Sequence, residues 1–109
     1  MSGDISKIFL KIAKNNRTNG KGATTDLLIN EGVGLFLQNL PWSDSYGIRF
    51  VSEAYMARVL AKLGDIDQKE VKSFLDSFRG QELDFGEAYV FFERNQNNTF
   101  SVGYNGCAN

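Results

Sequence analysis

Thr24-Thr25-Asp26-Leu27-Leu28-Ile29-Asn30-Glu31-Gly32-Val33-Gly34-Leu35-Phe36-Leu37-Gln38-Asn39-Leu40 can be read in two ways, and the choice sets the fold. In one, Thr24 or Thr25 caps a short helix over 26–31, Gly32 ends it, and a strand follows. Val33, Leu35 and Leu37 then alternate with Gly34, Phe36 and Gln38, the period of a strand. In the other, residues 24–40 form one continuous helix. Gly32 and Gly34 weigh against that, because glycine inside a helix costs about 1 kcal/mol relative to alanine. The first reading is therefore the expectation.

Downstream, Tyr46, Ile48 and Phe50 alternate with Gly47, Arg49 and Val51, a second strand pattern. The two strands would pair as a hairpin across 39–45, which holds Pro41 and Trp42. Ser52 can cap a helix over 53–63 that carries Tyr55, Met56, Val59, Leu60 and Leu63 on one face, with Gly64 as its stop. Asp67 can cap another over 68–79, with Val71, Phe74, Leu75 and Phe78 on one face and Gly80 as its stop. Asp67 and Glu70 have the spacing of a capping box. The short link makes these two a helical hairpin. Residues 87–94 and 99–104 read as a second β-hairpin around Asn95-Gln96-Asn97-Asn98.

Upstream, Ile5, Ile8, Phe9 and Ile12 fall at i, i+3, i+4 and i+7, the stripe of an amphipathic helix over 4–14. The expected fold is thus α+β: a small antiparallel sheet of two β-hairpins packed against helices, in the order α-α-β-β-α-α-β-β. Residues 1–109 read as a single globular domain, with 15–23 a flexible basic loop and 105–109 a frayed tail.

Hydrophobic residues make up 42% of the chain and charged residues 23%, a globular balance. No apolar run approaches the roughly 20 residues of a membrane-spanning helix. The one cysteine, Cys107, leaves no partner for an intramolecular disulfide. That, with no signal-peptide layout at the N-terminus, points to a cytoplasmic protein.

Catalytic motifs are missing. The chain has no histidine, which removes Ser-His-Asp and Cys-His nucleophile schemes and histidine-dependent zinc sites. Residues 64–70 match the second half of a calcium-binding loop, but Val59, Ala61 and Leu63 stand where oxygen ligands are needed. No metal and no cofactor is expected. Asn19–Thr25 resembles a phosphate loop in composition only. The central helical hairpin has mixed charge where a DNA-reading helix needs a basic or polar face. Glu82, Asp84, Glu87 and Glu93 could in principle pair for glycoside hydrolysis, but acidic surface is the commoner meaning of such a group. The expected protein is not an enzyme.

Two features suit binding. Residues 1–22 hold Lys7, Lys11, Lys14, Arg17 and Lys21 against Asp4, a net of +4, whereas the remainder holds seven basic and twelve acidic side chains, a net of −5. Lys7, Lys11 and Lys14 share a helical face and form, with Arg17 and Lys21, a candidate basic patch for an acidic protein or for nucleic acid. Trp42, Tyr46, Tyr89 and Phe91 are the candidate partner-binding aromatics. Tyr89-Val90-Phe91-Phe92 places apolar residues on both faces of one strand, so each face needs cover. A second copy, as a homodimer through the C-terminal hairpin, would supply it.

The function expected by elimination is non-catalytic binding of another protein, the class of small inhibitors, immunity proteins and regulators. One alternative is a small-ligand pocket lined by Phe36, Phe50, Tyr55, Phe74, Phe91 and Phe100. Another is nucleic-acid binding through the N-terminal basic segment, which is disfavoured because no aromatics are interleaved there.

Overall fold

A computed structural model describes residues 2–16, 22–40, 48–78, 81–85 and 88–104, with the side chains at 2–4, 48, 81–85, 88–91 and 104 excepted. The elements are α1 (Ser2–Asn16), α2 (Thr25–Gln38), β1 (Ile48–Ser52), α3 (Glu53–Gly64), α4 (Gln68–Ser77), β2 (Gln81–Phe85), β3 (Ala88–Arg94) and β4 (Thr99–Tyr104). The class is α+β with four helices and an antiparallel sheet, and α3 and α4 form the expected helical hairpin. The order is α-α-β-α-α-β-β-β, which corrects the expected one at two places.

The first correction is the decisive stretch itself. Residues 25–38 are one helix, capped by Thr24, whose hydroxyl accepts from the Leu27 N–H at 3.2 Å. Ile29, Val33, Phe36, Leu37 and Leu40 are all buried, a stripe at helical spacing that outweighs the alternation of 33, 35 and 37. Gly32 does not end the helix. It lies where α2 crosses α1, and a Cβ there would stand 1.9 Å from the Phe9 carbonyl oxygen. Its missing side chain permits the approach of two backbones. The helical penalty of glycine is offset by the packing it allows.

The second correction concerns pairing. With no strand at 33–37, β1 has no hairpin partner there and instead joins β4. The sheet order is β1-β4-β3-β2, all neighbours antiparallel. The β3–β4 hairpin is as expected, and Asn98 takes the left-handed conformation in its turn (φ 60°). β2 was not expected and pairs with β3 from Gln81↔Phe92 to Phe85↔Ala88.

Register assigns the sheet's two faces. Val51 stands opposite Phe100, Val102 opposite Phe92, and Phe100 opposite Arg94. Those four apolar side chains are buried and face the helices. Phe92 is the hub: its ring centroid lies 6.3 Å from Phe9 of α1, 6.5 Å from Phe36 of α2, 4.9 Å from Phe78 after α4 and 5.4 Å from Phe100. Aromatic pairs at such separations add roughly 0.5–1.5 kcal/mol each to the burial term.

Helix ends differ in detail from the sequence reading. Asp65, not Gly64, turns α3 off, at φ 54° and ψ 50°. The Ile66 N–H reaches the Ala61 carbonyl at 3.0 Å, a Schellman closure with Ile66 partly buried against the core. Asp67 caps α4 by accepting from the Lys69 N–H at 3.1 Å, one donor earlier than a capping box uses. α4 ends at Ser77, and Phe78 occupies its C-cap in an extended conformation.

Arg94 ties these parts together. It donates to Glu53 at 2.9 Å, to the Phe78 carbonyl at 3.2 Å and to the Leu75 carbonyl, and its guanidinium lies 4.8 Å from the Phe100 ring centre. The end of β3 is thereby joined to the start of α3 and the end of α4. None of the helices is long and apolar enough to cross a membrane.

Candidate functional site

Because the helices cover one sheet face, the other must be built from the alternate residues. Phe50 stands opposite Ser101, and Ser101 opposite Glu93, making one row across three strands. Ser52 stands opposite Thr99 at the end of the sheet. Phe50 is 74% exposed, and Ser52 and Glu93 are exposed as well. Ser101, directly opposite Phe50, is too short to shield the ring.

Polar groups fix one end of this face. The Asn95 side-chain amide donates to Thr99 Oγ1 at 3.1 Å and to Ser101 Oγ at 3.0 Å, and Thr99 Oγ1 donates to Asn97 Oδ1 at 2.7 Å. These bonds hold the hairpin turn against the strand ends. The exposed phenylalanine therefore sits on a paired strand, not on a loop.

The facing of β1 reverses the sequence expectation that Phe50 lines an internal pocket. Val51 is buried, and Arg49 shares its face. Arg49 can occupy an inward position because its stem lies along apolar surface while its guanidinium donates to the Leu37 carbonyl at 2.9 Å, at the end of α2. Phe50 is the residue left outside.

Among the described side chains, the other proposed pocket aromatics do not converge. Phe36 and Phe100 are consumed in the packed core, while Tyr55 and Phe74 are half-buried on α3 and α4. The side chain of Phe91 lies outside the described residues; its backbone pairs with Gly103 and Glu82. Tyr89 is likewise placed by backbone only, opposite Asp84. Trp42 and Tyr46 lie outside the described residues, as do Arg17, Lys21 and the 105–109 segment.

Lys7, Lys11 and Lys14 are exposed together on α1, and with Leu10 and Asn15 they line a shallow hollow of about 440 Å³. The expected loop over 15–23 is corrected at its start: Asn15 and Asn16 are helical, and both donate to the Leu63 carbonyl, at 2.7 and 2.9 Å. Of the four carboxylates weighed for catalysis, Glu93 is exposed, Glu82 and Asp84 are placed by backbone only, and Glu87 lies outside the described residues. Among the described residues no group of His, Cys, Asp or Glu is arranged to hold a metal ion.

Two features escaped the sequence reading. The Glu53–Arg94 pair leaves no local signal, since its members are 41 residues apart. The exposure of Phe50 required knowing which strand β1 pairs with. No family model, curated protein or solved structure matches the chain.

Proposed function

We propose that this protein is a non-catalytic module that binds another protein through the open face of its sheet, centred on Phe50. The observation that carries this reading is a large aromatic side chain, 74% exposed, on the sheet face opposite the helix layer. A phenylalanine of this kind loses apolar contact with water when a partner covers it, and bulky aromatics on rigid elements are the usual anchors of protein interfaces. The lack of histidine supports binding over catalysis, and among the described residues no pocket is lined by converging aromatics. A second copy of the chain is one partner this face would suit.

The test is site-specific photocrosslinking in the cell that makes the protein. A photoreactive phenylalanine analogue at position 50 is expected to give a discrete protein adduct on irradiation, and the same analogue at exposed Lys72 on α4 none. An adduct of twice the chain's mass would identify the homodimer; a heavier or lighter one, a foreign partner. Equal, diffuse labelling from both positions would refute the reading.

A further inference from the structure

The helix α3 carries two adjacent rows on its outer side. Tyr55, Val59 and Leu63 recur every four residues and are half-buried; Arg58 and Lys62, with the same spacing, are exposed. With Asn39 beyond the end of α2, they line a hollow of about 320 Å³. Its wall is already ordered: the Tyr55 hydroxyl lies 3.5 Å from the Asn39 carbonyl, and the Arg58 guanidinium lies 5.0 Å from the Tyr55 ring centre. Among the described residues, no carboxylate lies within salt-bridge range of Arg58 or Lys62, and none lines the hollow.

We infer that this hollow is a second docking site, for an acidic amphipathic helix of another protein. The inference goes beyond the sheet-face reading and uses none of its residues. A four-residue spacing on α3 advances about 6 Å per step. A partner helix with leucines at that spacing and glutamates beside them would seat its apolar row on Tyr55, Val59 and Leu63. Its carboxylates would then meet Arg58 and Lys62. This is the helix-in-groove mode of recognition, with the charge row setting orientation and partner choice. An acidic peptide fits better than nucleic acid. The floor of the hollow is aliphatic, and among the described residues that line it the one aromatic, Tyr55, already carries the Arg58 guanidinium.

The experiment uses the full chain and a fluorescein-labelled amphipathic peptide of about 15 residues, long enough to be partly helical, with leucine and glutamate rows at the stated spacing. Fluorescence polarisation is expected to show saturable binding that weakens as salt rises. Arg58→Gln/Lys62→Gln should weaken it by about tenfold, the product of two modest charge contacts, with an unchanged melting temperature. Lys7→Gln/Lys11→Gln/Lys14→Gln should leave it intact. Arg58→Glu/Lys62→Glu should bind the matching peptide with lysine in place of glutamate. Absence of binding, equal binding of a glutamine-for-glutamate peptide, or full binding by the Arg58/Lys62 variants would overturn the inference. So would displacement of the peptide by an oligonucleotide whose own binding needs Arg58 and Lys62.

Discussion

Replacing Gly32 and Gly34 with alanine, one at a time, should shift stability in opposite directions although the two glycines are two residues apart in one helix. Alanine is favoured over glycine in a helix interior by about 1 kcal/mol, and both sites receive that gain. At Gly34 an added Cβ meets no atom within 4 Å, so the gain is kept. For a chain of this length the entropy of unfolding implies that 1 kcal/mol moves the midpoint by roughly 4 °C. Gly34→Ala should therefore melt about 4 °C higher.

At Gly32 the same Cβ falls 1.9 Å from the Phe9 carbonyl oxygen and 2.7 Å from its carbon, against 3.4 Å for ordinary contact. The obstacle is backbone, which cannot rotate aside, so α1 and α2 must separate by about 1.5 Å, the difference between those two distances. Separation loosens the contacts of Phe9 with Phe36 and Phe92. Overpacking of this kind costs about 1–3 kcal/mol, and more where backbone is displaced. Net of the helical gain, and taking the upper end of that range because backbone is displaced, Gly32→Ala should lose about 2 kcal/mol, a fall of roughly 8 °C. Thermal and urea unfolding followed by circular dichroism measure both. A Gly32→Ala variant as stable as the parent would refute the close crossing, and with it the placement of α1 on α2.

Arg94→Met should destabilise by about 3–5 kcal/mol, because it strands the Glu53 carboxylate and leaves the Leu75 and Phe78 carbonyls short of a donor; Glu53→Gln should cost less, and the double variant should recover part of the loss in a urea-denaturation cycle. Asp65→Gly should raise stability by about 1 kcal/mol, since glycine takes the left-handed conformation without the Cβ penalty; a lower melting temperature would contradict the Schellman closure. Changing Lys7, Lys11 and Lys14 together to glutamine should alter unfolding by less than about 0.5 kcal/mol, as expected of exposed side chains, and a cooperative loss of structure would show that the α1 face is covered.

What the sequence revealed followed from how local each cause was. The stripes of α1, α3 and α4 and the turn between β3 and β4 could be read because each element's determinants lie within it. The α2 stretch could not, because Val33 and Leu37 satisfy both periods: they alternate with Gln38 and Phe36 and also sit one helical turn apart. What separates the readings is Gly32, and its meaning depends on Phe9, which packs against it from another helix. β2 carried a weak signal, Leu83 and Phe85 alternating with Glu82 and Asp84, but five residues with two carboxylates read equally well as an acidic link. The sheet face was illegible for a different reason. Its composition depends on β1 pairing with β4 across the whole helical hairpin, and on an arginine being admitted where a phenylalanine was expected.

That arginine belongs to a pattern that only the assembled structure exposes. α1 and α3 carry a lysine in their last turns, Lys14 and Lys62, where cations suit the helix dipole. α2 and α4 have none. The sheet supplies both: Arg49 of β1 donates to the Leu37 carbonyl at the end of α2, and Arg94 of β3 donates to the Leu75 and Phe78 carbonyls at the end of α4. Both stand on the helix-facing side of the sheet, opposite Val102 and Phe100. Two cations that charge arithmetic assigns to the acidic body are thus committed to helix ends and are withdrawn from recognition. Arg58 and Lys62 of α3 are exposed instead, and among the described residues neither makes an ion pair, so their charge is available to a partner.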